Sequence, residues 1–262
     1  MCYVPSMKTL KVCAIADLHD ETLNRKALAA WGHYVAANKW DRLYLLGDIL
    51  TLDAVSSYNK GKPGQEAACW TLAESWSNGR ELVSWLCLQA RTQNPKCEVV
   101  YCEGNHEARA RAYKDKFPVL GTLCDVPTQL ELKRHAVKWV PEGEVDRLRD
   151  AMFTHGWYWG MNHARQTALT APTHIYYGHT HDVQEYSINR LGETVRAKSI
   201  GSFCEQNPTY KKGAPNRWVT AFSVFYFGPD GGHNEYNIKL DAAGKFTAPD
   251  GVLYGPRGAR KG

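Results

Sequence analysis

Three apolar, β-rich runs, Leu10 to Ala16, Arg42 to Leu46 and Glu98 to Cys102, are separated by long segments of helical period, and this alternation most limits the fold. The first helix is expected over Glu21 to Asn38, with Leu23, Ala27, Ala30, Trp31 and Tyr34 on one face. The second falls within Glu66 to Arg91 and the third at about Ala108 to Lys116, where Pro118 limits it. A weaker middle region carries strands at Ala136 to Val140, Ala151 to Thr154 and His174 to Tyr177, with a short helix near Asn162 to Leu169. From Val183 the pattern becomes strands alone: Val183 to Ile188, Thr194 to Ile200, Trp218 to Phe227 and Asn234 to Leu240, separated by Gly-containing turns. A βαβαβ front with a β-rich back predicts an α/β or α+β fold with two sheets packed face to face.

Length and composition agree with a folded, soluble chain. At 262 residues, against roughly 150 per domain, residues 1–245 are expected to form one domain, with 246–262 as a flexible Gly-rich basic tail. Hydrophobic residues at 44% and charged residues at 23% exclude disorder, and the longest apolar runs are too short to span a membrane. The N-terminus carries no secretory pattern, so a cytoplasmic location is expected. The cysteines at 2, 13, 69, 87, 97, 102, 124 and 204 include no CxxC pair, so buried reduced thiols are expected rather than disulfides or a structural zinc site. A net charge of +5 permits a phosphate-bearing partner without demanding one, and Arg257, Arg260 and Lys261 in the tail account for part of it.

Five short segments place metal-ligand residue types just after an expected strand: Asp17-Leu18-His19, Gly47-Asp48, Gly104-Asn105-His106-Glu107, His155-Gly156 and Gly178-His179-Thr180-His181. Ligand sites in α/β sheets gather outside the carboxyl ends of strands. Singly, Asp17 or Asn105 reads as a helix cap and Asp48 as a turn residue. Jointly, two carboxylates and five of the ten histidines in this order point to a metal site. The donors are nitrogen and oxygen without thiolate, which suits Mn, Fe, Zn, Co or Ni. Seven ligands are too many for one ion and fit two if a carboxylate bridges. Two ions about 3.5–4 Å apart can activate a hydroxide and neutralise a phosphate under in-line attack. His106 is then free to protonate the leaving oxygen.

The series resembles the calcineurin-like metallophosphoesterase family, whose pattern is DxH, GD, GNH[DE], H and GHxH; all five blocks are matched between residues 17 and 181. The resemblance implies a sandwich of two mixed β-sheets flanked by α-helices, a dinuclear centre of two divalent ions (Mn, with Fe or Zn as alternatives), and metal-bound hydroxide as nucleophile. Carried onto this chain, Asp17, His19 and His181 would hold one ion, Asp48 would bridge, Asn105, His155 and His179 would hold the second, and His106 would be catalytic. The stretch Gly47-Asp48-Ile49-Leu50 to Ser56-Ser57-Tyr58 looks most like the small phosphoesterases of tailed bacteriophages and prophages.

Departures from the pattern narrow the expected substrate. Protein phosphatases of this superfamily carry GDxVDRG and an arginine before GNHE; here Ile49-Leu50-Thr51-Leu52 follows Asp48, and Glu103 precedes Gly104. Thr51 stands where that group has an aspartate orienting the catalytic histidine, with Asp53 as a possible substitute. Of Arg109 and Arg111, which follow the motif on a helix, Arg109 is a candidate phosphate contact. Trp157 and Trp159 follow His155-Gly156, with Trp157 the candidate for stacking on substrate; Trp31, Trp70, Trp85 and Trp139 read as core. His33, His135, His163, His174 and His233 read as structural, His163 being the nearest to a ligand. Residues 204–217, with Lys211, Lys212 and Arg217, read as a long loop. The expected function is hydrolysis of a phosphodiester in a nucleotide or nucleic acid, with no membrane partner. The alternatives are a phosphomonoesterase acting on nucleotides or polynucleotide ends and, in another class, an idle nucleic-acid-binding or host-interaction scaffold.

Overall fold

The computed structural model of the protein describes residues 8–61, 71–208 and 212–260. Fourteen strands, β1 to β14 in chain order, form three sheets. The first has the order β11-β10-β1-β2-β3-β4: β1 (Leu10–Ile15), β2 (Arg42–Leu45), β3 (Glu98–Cys102) and β4 (Val137–Val140) run parallel. On the other flank β10 (Ala221–Phe227) is antiparallel to β1, and β11 (His233–Lys239) to β10. The second sheet has the order β5-β6-β7-β9-β8, in which β6 (Ala151–Thr154), β7 (His174–Tyr177) and β9 (Glu193–Ser199) are parallel. Its edges, β5 (Asp146–Leu148) and β8 (Glu185–Arg190), are antiparallel. The result is a sandwich of two mixed sheets, as expected.

Alternation along the strands builds the layers. Val12, Ala14 and Ala16 turn inward with Tyr44, Leu46, Phe153, Tyr176 and Phe225 to fill the space between the two sheets. Tyr44 and Phe153 stack across it at 3.9 Å between centroids. Cys13 and Ile15 face the other way, toward α1 (Arg25–Ala37) and α2 (Leu72–Arg91). α1 presents Ala27, Ala30, Trp31 and Tyr34, and α2 presents Val83, Leu86, Cys87 and Ala90. The outer face of the second sheet is covered by α5 (His163–Thr170). Among the described residues no helix is long and apolar enough to cross a membrane.

Several expectations are refined. α2 starts with a capping box at Thr71 and Glu74; the expected residues 66–70 of that helix, with Cys69 and Trp70, lie outside the described residues, as do Cys2, Lys211 and Lys261. α3 (Asn105–Lys116) begins at Asn105 rather than near Ala108, because Gly104 supplies the extended cap residue and Glu107 reaches back to its N–H. The remaining short helix, α4, is Val126–Gln129. The flexible C-terminal tail is corrected: β12 (Phe246–Thr247), β13 (Leu253–Gly255) and β14 (Gly258–Arg260) form a small antiparallel sheet. Phe246 and Tyr254 pull it onto α1, each with its ring about 5–6 Å from that of Tyr34 (5.6 and 5.1 Å). Burying two aromatic rings offsets the glycine content that suggested fraying. Cys13, Cys87, Cys97, Cys102, Cys124 and Cys204 are buried free thiols.

Candidate metal centre

Parallel strands ending side by side bring the five segments to one rim. The loops after β1 and β2 clasp each other, Asp17 N–H donating to Gly47 O and His19 N–H to Asp48 O, both at 3.0 Å. Asp17, His19, Asp48, His179 and His181 all have φ between 46° and 71°. Left-handed backbone at a non-glycine residue costs about 1–3 kcal/mol, and five such residues at one sheet end mark a place where orientation outweighs local comfort. Glycine is required alongside them. A Cβ on Gly104 would collide with the carboxylate and amide of Asp48, and Gly47 at φ +81° leaves only 2.5 Å between a built Cβ and His155 Nδ1.

The ligand atoms converge in two buried groups, Asp17, His19, Asp48 and His181 in one and Asp48, His155 and His179 in the other, each within 4.8 Å of one another. Asp48 belongs to both. In the first, His19 Nε2 faces His181 Nε2 at 3.1 Å, and His181 Nε2 lies 3.3 Å from Asp17 Oδ1. In the second, Asn105 Oδ1 sits 3.0 Å from His155 Nε2 and 2.7 Å from His179 Nδ1, while His155 Nε2 lies 3.4 Å from Asp48 Oδ2. His155 Nδ1 donates to Leu46 O at 2.7 Å, which fixes Nε2 as the nitrogen offered to the centre.

Charge at the rim favours cations. Burial opposes protonation of His155, but Asp48 outweighs it and pushes this histidine up to about 10. Burial likewise opposes protonation of His181, and Asp17 overrides it, again to about 10. His179 is driven down to about 4 by burial and by His155, and burial with His106 holds His19 well below its ordinary value. Each group therefore carries one proton that a cation can replace and neutral nitrogens ready to ligate it. The mixed N/O donor set and its convergence fit divalent metal binding.

Glu107 ties the Asp48 loop to the start of α3. Its buried carboxylate accepts from Gly104, Asp48, Ile49 and Leu50 N–H and from Tyr101 Oη–H, at 2.7–3.0 Å. His106 stands beside it, with its N–H donating to Asp48 Oδ1 at 2.9 Å and its Nε2 3.9 Å from Asp48 Oδ2. The expected substitution by Asp53 is not what is found. His106 Nδ1 donates instead to the backbone carbonyl of Thr51 at 2.7 Å, so a main-chain oxygen orients the ring. Asp53 pairs with Arg109 at 2.7 Å, and Arg109 Nη2 lies 2.9 Å from His106 Nε2. Arg111 turns away to Glu103 and Glu142.

Trp157 and Trp159 take different surroundings. Trp157 packs against the cluster under α5 and its Nε1–H donates to Gly143 O at 3.3 Å. Trp159 and Trp218 are the indoles at the centre, 6.3 Å from His179 and 4.3 Å from His181 between rings. The stacking candidate named from the sequence is Trp157, and the structure puts Trp159 beside His179 instead. A supporting network also escaped the motif pattern: buried His163 joins Tyr177 Oη at 2.9 Å and Asp182 at 3.1 Å. Asp182 in turn accepts from Thr180 Oγ1–H and Ser199 Oγ–H, bracing the 178–182 turn. Cavities of about 530 and 520 Å³ open on the two flanks, one beyond Arg109 and the other beyond His179.

No family model matches the chain, and no curated protein does. Solved structures similar to it include vacuolar protein sorting 29 of Cryptosporidium parvum, at 14% identity and TM-score 0.46 over 91% of this chain and 94% of that one. The nuclease MPE of Pseudomonas putida shows 17% identity and TM-score 0.39 over 82% and 83%. A conserved protein of Streptococcus pneumoniae described as a predicted phosphoesterase shows 13% identity and TM-score 0.34 over 88% and 99%. Likenesses this distant carry no functional weight, which rests on the site itself.

Proposed function

We propose that the protein is a metal-dependent phosphoesterase that hydrolyses phosphodiester bonds in nucleotides or nucleic acid. The observation that carries this reading is one buried carboxylate, Asp48, shared by two convergent donor groups. Asp17, His19, Asp48 and His181 would hold one divalent ion, and Asp48, Asn105, His155 and His179 the second; the donors suit Mn, Fe or Zn. Such a pair supplies Lewis-acid activation of water and neutralises phosphate charge. The chain's own residues do the rest. Thr51 O holds His106 Nδ1–H, so the proton that moves is at Nε2. Burial lowers the His106 pKa against the pull of Asp48, and Arg109 lowers it further, so the imidazolium, once formed, is a ready acid toward a leaving oxygen. A phosphate oxygen that takes the Arg109 N–H frees Nε2 for that task. The diester preference follows from the missing phosphatase arginines, and the phage-like resemblance of residues 47–58 is a likeness of sequence only.

The test is hydrolysis of bis-p-nitrophenyl phosphate beside p-nitrophenyl phosphate in Mn²⁺, with Asp48→Ala as control. Diester turnover abolished by the substitution supports the reading, and monoester turnover alone replaces it with a phosphomonoesterase. Silence with every divalent metal, from protein that binds none, replaces it with a scaffold.

A further inference from the structure

Trp159 is 75% exposed, and its neighbour Met161 is 78% exposed. Large apolar side chains placed together in solvent forfeit burial that a core would reward, and they mark a contact surface. Trp159, Trp218 and His179 all line a cavity of about 520 Å³. A molecule in this cavity therefore touches the rings that border both candidate ligand groups.

The polar side chains of Thr180, Asp182 and Asn216 in the cavity are already engaged. Thr180 Oγ1–H donates to Asp182 at 2.8 Å, and the Asp182 carboxylate is taken by Ser199 and His163. Asn216 donates to Gln206 O at 2.7 Å and accepts from Trp218 N–H at 2.8 Å. What remains on offer is the exposed ring of Trp159 and the exposed cation of Arg217, which pairs with no acid among the described residues. A flat exposed indole suits a planar aromatic group, a lone cation suits a phosphate, and stacking on a ring face tolerates every base.

We propose that the cavity lined by Trp159 and Trp218 is a nucleobase subsite in which the Trp159 ring stacks the base next to the scissile phosphodiester, without choosing among bases, while Arg217 meets a neighbouring phosphate. This rests on the phosphodiesterase reading for its position relative to the scissile bond.

Binding tests it apart from turnover. Fluorescently labelled phosphorothioate hexamers of thymidylate, and abasic hexamers of the same length, are titrated in Mn²⁺ by anisotropy. One stacked base is worth about a 5- to 140-fold change in affinity. The wild type is expected to prefer the thymidylate strand by a factor in that range, Trp159→Ala to erase the preference, and Trp159→Phe to restore most of it. Arg217→Ala is expected to weaken both strands alike. Equal affinities in the wild type, or a preference that survives Trp159→Ala, overturn the subsite. Because Trp159 is exposed, its truncation leaves folding intact, which a thermal melt checks. Base preference without diester hydrolysis would remove the parent reading and keep the subsite; hydrolysis without base preference would do the reverse.

Discussion

Metal binding to the centre should release two protons near pH 8. His155 and His181, one in each donor group, keep their protons up to about pH 10 in the metal-free protein because Asp48 and Asp17 outweigh burial. A metal takes only the neutral imidazole, so each ion must displace one proton. His179, lowered to about 4, and His19, held well below its ordinary value, have none to give. Glu107, raised to about 7 by burial and Asp48, is largely ionised at pH 8 and adds little there. At pH 8 each displacement costs about 2.7 kcal/mol, two units below the pKa at 1.36 kcal/mol per unit. The combined affinity for two ions should rise about 100-fold per pH unit until pH 10, one factor of ten per proton. The same shifts act oppositely on the metal-free fold. Both histidines are raised above their unfolded value, so their contribution to stability is complete below about pH 6.5 and is lost as pH climbs through 10. Calorimetric titration of Mn²⁺ or Zn²⁺ into metal-free protein, in two buffers of different ionisation enthalpy, counts the protons. A release below about half a proton per ion would refute the charge pairing.

Three other perturbations have defined outcomes. Glu107→Gln replaces an acceptor of five N–H and O–H donors with a group that is itself half donor, and should cost about 3 kcal/mol in chemical denaturation together with a 10- to 100-fold weaker metal affinity. Arg109→Ala removes a cation 2.9 Å from His106 Nε2, so the His106 titration followed by NMR should move upward; an unmoved titration would separate the two residues. Tyr254→Ala empties a site where the ring is 4% exposed and should cost about 3–5 kcal/mol, read as a lower melting temperature, whereas a frayed terminus would show no change.

Much of the fold was legible because burial writes a period into sequence. β1 to β3 and the helices between them combine long apolar faces with clear punctuation, and the strands are found where the pattern put them, while the first helix begins at Arg25 rather than Glu21. The edge strand β5 and the strands β12 to β14 are two or three residues long, too short for a period to show. Their positions come from tertiary contacts such as Tyr254 on Tyr34, which local sequence does not announce. The helix α3 starts at Asn105, three residues before the expected start near Ala108, because Gly104 rather than a side-chain cap residue begins it and Glu107 in the first turn completes the cap.

The ligand residues and their supports differ in how far they can be seen. Ligation demands particular side chains at particular strand ends, so Asp17 to His181 leave a pattern of residue types. Orientation demands only a donor or an acceptor, and the backbone can supply it. The ring of His106 is held by Thr51 O, a carbonyl every residue has, and the Asp48 loop by N–H groups converging on Glu107. The aromatic rim behaves in the same way. Trp157 and Trp159 are two residues apart and chemically identical, but one packs beneath α5 and the other stands beside His179. Residue type locates the candidate centre; backbone direction, as in the left-handed residues Asp17, His19, Asp48, His179 and His181, decides which side chains converge on it.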